Sequence, residues 1–201
     1  MRLHEIEIIP KFQFNFNKFY SEYFNKSTKL QLYKIFEVRK IEYQSDVQNL
    51  SIFLYDTQEQ EIASILILTR TTNSHSKYWQ SNNAATSPKY RGQNLIQELY
   101  RFLVQDLHQG VLSDFKQSDA GKHLWMKKLP QIGLLLIANI RTGETFNPGE
   151  APNPYDDQTD TFLWLIEEQA NFKFGISGAR TINESNAFGW YPNRFQMFLN
   201  K

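Results

Sequence analysis

The stretch Ser87-Pro88-Lys89-Tyr90-Arg91-Gly92-Gln93-Asn94-Leu95-Ile96-Gln97-Glu98-Leu99-Tyr100 leads a proline, two cations and a glycine directly into a helix. The helix is read from Leu95, Leu99, Phe102, Leu103 and Leu107, one apolar stripe with Gln97, Glu98, Arg101, Gln105 and Asp106 set between. Gly110 is its expected stop. Backbone N–H groups at a helix start lack intrahelical acceptors and sit at the positive end of the macrodipole. A basic turn there can hold phosphate, with Arg91 and Lys89 adding charge, or it can be a solvated helix start.

Outward from this segment the chain alternates between strand and helix patterns. Upstream, Leu3–Ile8 reads as a strand ended by Pro10, and Phe14–Tyr33 as a helix carried by Phe16, Phe19, Tyr20, Tyr23 and Phe24. Ile35–Tyr43, Leu50–Tyr55 and Ile62–Thr72 form an expected three-strand meander. Asn73–Lys89 is polar, either a loop or a weakly encoded strand. Downstream, Val111–Asp114 reads as a short strand, and Ser118 or Asp119 caps a helix to about Leu129, ended by Pro130. Leu134–Thr142 and Phe162–Glu167 read as later strands, separated by a Pro- and Gly-punctuated loop over Asn147–Asp157.

Composition narrows the function classes. The 201 residues suit one domain, expected to span 1–201. Lys+Arg 22 against Asp+Glu 21 gives no whole-chain basic field, so nucleic acid is not an expected partner. The absence of cysteine removes disulfides, thiolate metal sites and cysteine nucleophiles. Aromatic residues reach 15%, enough to argue for a packed core over disorder. The first residues do not read as a signal peptide, and the longest apolar stretch, Gly133–Ala138, is too short for a membrane span. A cytoplasmic location without membrane contact is the expectation. No metal is expected, since His4, His75, His108 and His123 lack ligand spacing and Asp156, Asp157 and Asp160 read as a solvated loop.

Pro-x-Tyr-Arg-Gly-Gln followed by Leu-x-x-x-Leu-Tyr resembles the acetyl-CoA pyrophosphate loop and helix of the GNAT N-acetyltransferase superfamily. The family loop reads Arg/Gln-x-x-Gly-x-Gly/Ala. Arg91 matches its first position, while Asn94 and Ile96 stand where small residues belong. Leu112-Ser113-Asp114-x-x-Gln117-Ser118-x-x-Gly121-x-x-Leu124-Trp125-x-x-Leu129 is similar to a pattern in some bacterial and phage-encoded GNAT-like proteins. The motif resemblance covers about 87–129 and the element order about 1–170, leaving a C-terminal extension of about 170–201.

The resemblance implies an α+β fold, with a GNAT-like, mostly antiparallel central sheet and helices on both faces. It implies an acetyl-CoA-dependent N-acyltransferase in which a primary amine, small-molecule or protein, attacks the thioester directly. Lys89, Arg91, Gly92, Gln93, Asn94 and Leu95 are the implied coenzyme-binding residues. Two usual catalytic roles are vacant: Trp125 falls where a tyrosine acid is common, and Ser81–Ala85 holds no carboxylate. Asp114 is the candidate base, with a cap as its alternative role, and Ser113 either orients a ligand or caps. Tyr78, Tyr90 and Tyr100 are candidate acids or packing residues. These vacancies imply an alternative, a catalytically degenerate GNAT-like structural or interaction module, phage-encoded and located in a host cytoplasm or virion. Its partner, or a second copy, would meet the aromatic C-terminus, where Phe188, Trp190, Tyr191, Phe195 and Phe198 gather.

Overall fold

Asn15 starts the first described element: its side-chain oxygen accepts the Lys18 N–H and caps helix α1 (Phe16–Tyr23). The computed structural model describes residues 15–44, 47–71, 78–157 and 161–169. The strand expected at Leu3–Ile8 and the C-terminal aromatic cluster lie outside them. A 3₁₀ turn over Phe24–Lys26 ends α1, and β1 (Thr28–Tyr33) follows. The helix expected across Phe14–Tyr33 is therefore part strand. Leu30, Leu32 and Lys29, Gln31 alternate with a period of two, which the aromatic run before them obscures.

The meander forms as expected. β2 (Phe36–Gln44), β3 (Val47–Asp56) and β4 (Glu61–Thr71) pair antiparallel in chain order, with β1 added outside β2. Alternation sends Val38, Ile52, Leu54, Leu66 and Leu68 into one apolar cluster and Ile41, Phe53, Tyr55, Ile62 and Ile65 into another on the opposite face. The polar segment after β4 contains a strand, β5 (Trp79–Thr86), antiparallel to β4. Then come α2 (Leu95–Arg101), prolonged by a π-type turn over Phe102–Asp106, and β6 (Val111–Leu112). Ser118 Oγ accepts the Gly121 N–H and caps α3 (Asp119–His123), which a π-type turn and a 3₁₀ turn extend to Gln131. β7 (Leu134–Asn139), β8 (Thr145–Phe146) and β9 (Phe162–Glu167) complete a nine-stranded sheet in the order β1-β2-β3-β4-β5-β6-β9-β7-β8.

The expected GNAT-like α+β architecture with helices on both faces is corrected by this arrangement. Among the described residues, the chain forms a nine-stranded mixed sheet carrying only three short α-helices, of 8, 7 and 5 residues. One face takes α2 and the turns that extend α3, through Leu95, Leu99, Leu103, Trp125 and Leu129. The other face receives Phe19 of α1 over the meander alone. Beyond it, the cluster of Leu112, Leu136, Ala138, Leu163 and Leu165 has no helix against it among the described residues. The physical reason lies in the strand-forming side chains: β3 and β4 carry Ile, Leu and, in β3, aromatic residues on alternating faces, β7 and β9 are continuous apolar runs, and together they absorb chain that helices would otherwise use. Among the described residues, no helix is long and apolar enough to cross a membrane.

Candidate functional site

The sheet splits between β5 and β6. These strands run parallel but pair only at Trp79 with Val111 and Gln80 with Leu112. From Ser81 to Thr86, β5 has β4 on one side and no strand on the other, so one edge of its backbone is left free. A bulge accompanies the split: Leu68 faces Ser81 while Ile67 faces Asn83, leaving Asn82 as the extra residue. A bulge shifts the side-chain alternation by one. Trp79 joins the α2-side core before it; after it, Ala85 packs on the α1-side cluster while Ala84 and Thr86 line the open space.

That space is a cavity of about 490 Å³. Its walls are β5 from Ser81 to Thr86, the loop entering α2, the helix face of Ile96 and Tyr100, and the segment from Asp114 to Lys128 around α3. The loop is built on positive φ at Gly92 (81°) and Asn94 (56°). The second is a left-handed turn that asparagine tolerates better than most residues. Asn94 gives α2 no side-chain cap, in contrast to Asn15 at α1 and Ser118 at α3. Ile96 lines the cavity without closing it.

Charge is distributed unevenly. Lys29, Arg39, Lys40, Lys89 and Arg101 all have carboxylate partners. Among the described residues, Arg91, His123, Lys127 and Lys128 have no ion pair, side-chain hydrogen bond or aromatic contact, and all but Lys127 line the cavity, as does Lys116, whose charge acts on Asp114. Among the described residues, Asp114 is the one carboxylate in its lining. Burial raises Asp114 above the usual carboxylate range, against the opposing pull of the Phe115 and Lys116 amides and the Lys116 charge.

The residues expected at the site separate into two groups. Arg91, Gly92, Asn94, Leu95 and Asp114 meet at the cavity. Lys89, Gln93 and Ser113 are not among its lining. Lys89 Nζ bridges Glu59 Oε2 at 2.6 Å and Glu61 Oε1 at 3.0 Å. Gln93 projects into solvent. Ser113 is wholly buried; its N–H donates to Trp164 O at 2.7 Å and its Oγ accepts the Trp164 N–H, so it continues the pairing of β6 with β9.

The candidate acids are all held protonated. Burial pushes the phenols of Tyr78, Tyr90 and Tyr100 well above their ordinary value. The Tyr90 hydroxyl lies 2.9 Å from both Asp56 Oδ2 and Glu61 Oε1, one proton between two acceptors. Tyr100 donates to Ser81 Oγ at 2.8 Å, and its ring meets Trp125 edge-on at 5.6 Å. In the proline-rich loop, Asp157 Oδ2 accepts the Thr161 and Phe162 N–H groups as a turn former, and Asp160 lies outside the described residues.

No family model, curated protein or solved structure matches the chain. The site therefore has to be read from its own residues. Sequence reasoning missed Ser81, the bulge at Asn82, and Lys116, His123 and Lys128. The available signal for the first two was a polar strand, Ser81-Asn82-Asn83, lying between apolar neighbours in the sheet. Lys116, His123 and Lys128 carried no local signal, because only the folded chain brings them to the cavity.

Proposed function

We propose that the chain is an acetyl-CoA-dependent N-acyltransferase acting on a primary amine. The observation that carries this reading is the split between β5 and β6, which opens a cavity beside a free strand edge, with Arg91 and Lys128 in its lining free of ion pairs among the described residues. The coenzyme fits that donor set. Its extended, amide-bearing arm matches the free edge of Ser81–Thr86, and its phosphates match Arg91, with Lys116 and Lys128 adding positive field. Bound there, the coenzyme supplies an activated acyl group as a thioester.

The chain's own contribution is positional. Holding amine and thioester together replaces a bimolecular encounter and needs no covalent enzyme intermediate. The coenzyme would supply the acyl group and carry off sulfur as the leaving group, and the attacking amine would have one proton to lose. Asp114, raised by burial and lining the cavity, would receive that proton.

Calorimetric titration with acetyl-CoA tests the reading, paired with thermal melts. Saturation at one hundred times Kd adds about 2.7 kcal/mol to stability and raises Tm. Arg91→Ala weakens binding about tenfold, whereas Gln93→Ala, outside the cavity lining, leaves it unchanged. No binding heat and no Tm shift at millimolar coenzyme would eliminate the proposal.

A further inference from the structure

The proline-punctuated loop delivers Tyr155 to a residue of the cavity wall. Pro154 has a fixed φ, and Asn153 closes a turn around it. Asn153 Oδ1 accepts the Tyr155 N–H at 3.1 Å, and the Asn153 carbonyl accepts the Asp156 and Asp157 N–H groups. The Tyr155 ring packs on the α2-side core, 5.8 Å from the Trp164 ring of β9, with Lys122 Nζ 5.4 Å from its centroid. Tyr155 itself is not among the cavity lining.

Its hydroxyl reaches a residue that is. Tyr155 donates to Gln117 Oε1 at 3.1 Å, and Gln117 Nε2 donates to the Asp114 carbonyl at 3.2 Å. Burial pushes the phenol up to about 12, against the opposing pull of the Trp164 indole, so it stays a donor at any working pH. A donor on Oε1 leaves the amide NH2 for Asp114, so the phenol decides which way Gln117 faces. Asp114 Oδ1 accepts the Phe115 N–H at 2.7 Å within the same turn. One residue earlier, Ser113 is pinned by its two bonds to the Trp164 backbone. β9 and the loop before it therefore hold Asp114 from both sides, through Ser113 and through Gln117.

We infer that Tyr155 is a positioning residue for proton acceptance by Asp114, acting through Gln117. This inference rests on the acyl-transfer reading of the cavity. An Asp114 carboxylate oxygen takes the proton that the amine loses, and no bond within Tyr155 or Gln117 breaks. Among the described residues, six charged or titratable groups line the cavity with Asp114: Lys116 on its own turn, Tyr90 and Arg91 ahead of α2, Tyr100 on α2, and His123 and Lys128 on α3 and its extension. β5 supplies none from Ser81 to Thr86. Tyr155→Phe alters none of these groups, so a change at Asp114 reports the turn that carries it.

The test uses the full chain and three readouts: thiol release from acetyl-CoA with hydroxylamine as the amine probe, calorimetric Kd for acetyl-CoA, and NMR titration of the Asp114 carboxyl. Tyr155→Phe keeps the ring and removes the hydroxyl. It lowers kcat about tenfold, with KM and Kd for acetyl-CoA within about twofold of wild type. The loosened turn lets water reach the carboxyl, so its titration, raised by burial in the wild type, moves down toward the ordinary carboxylate range. Gln117→Ala has the same two effects, and the double variant is no slower than Gln117→Ala, because both changes break one chain of bonds. An unchanged kcat or an unchanged Asp114 titration in Tyr155→Phe overturns the inference, as do additive losses in the double variant, and wild-type turnover then leaves the acyl-transfer reading standing. Coenzyme binding without thiol release above the uncatalysed rate overturns it too and leaves the coenzyme site standing. Failure of the wild-type chain to bind acetyl-CoA removes both readings.

Discussion

The Tyr90 hydroxyl meets Asp56 Oδ2 at 2.9 Å, joining residues 34 positions apart in sequence. Asp56 closes the β3–β4 turn by accepting the Gln58 and Glu59 N–H groups on its other oxygen. Tyr90 immediately precedes the Arg91–Asn94 loop. The contact thus ties the wall of the cavity to a rigid hairpin, and Phe36, edge-on at 5.8 Å, packs against the same ring.

Tyr90→Phe tests this tie. Burial raises Asp56, but the Glu59 amide, the Tyr90 hydroxyl and the Gln58 amide together hold it below its ordinary value. Glu61 is held low by Lys89 and Tyr90 against the effect of burial. Groups with lowered folded values stabilise above the ordinary carboxylate range, and that stability is lost as pH falls through the lowered values. Removing the hydroxyl costs about 1–3 kcal/mol at pH 7, mostly through Asp56, because the Glu61 side chain is 42% exposed and screened by water. Urea melts should show the gap between wild type and variant narrowing as pH falls below the ordinary carboxylate range. A gap of constant size from pH 7 downward would show that the hydroxyl does not serve the ionised carboxylates.

Asn94 gives a backbone prediction. Its φ of 56° belongs to a region that glycine enters freely and β-branched residues avoid. Asn94→Gly should leave Tm within about 2 °C, whereas Asn94→Val should cost about 1–2 kcal/mol. Melts of both variants, with acetyl-CoA titrations beside them, decide whether the turn or the asparagine side chain matters. Equal losses from both substitutions would implicate the side chain.

Asp114 should behave oppositely to Asp56. Its folded value is raised, first by burial, so the folded chain holds the proton more tightly than the unfolded chain. The resulting stability is fully present below the ordinary carboxylate value and is lost as pH rises through the raised one. Asp114→Asn should therefore match wild type near pH 3 and exceed it at pH 7. The gain stays below about 1 kcal/mol, or about 2–4 °C in Tm. Thermal melts that show no divergence between these pH values would contradict the burial of this carboxylate.

Elements with a clean period were legible from sequence. The meander, the stripe of α2 and the Ser118 cap each depend on residues a few positions apart, so composition and spacing suffice. β1 was hidden because its alternation follows directly on a helical aromatic run. β5 was obscured twice, by its asparagines and by the bulge that breaks its alternation. At the site, Arg91, Asn94 and Asp114 could be named because the loop and the strand end are local features. Ser113 was misread, since its buried place depends on Trp164, 51 positions away. The unpartnered cations and the Tyr100–Ser81 contact exist only through pairings across the fold.

The extra residue at Asn82 gives β5 two phases. Odd-numbered side chains belong to the α2 side before it, and even-numbered ones belong there after it. Spacing along this strand is consequently counted in a mixed unit: a gain or loss of one residue on either side of Asn82 exchanges what the core and the cavity receive. The open site and the closed core beside it are therefore specified by the same residue count, and neither can change length without the other.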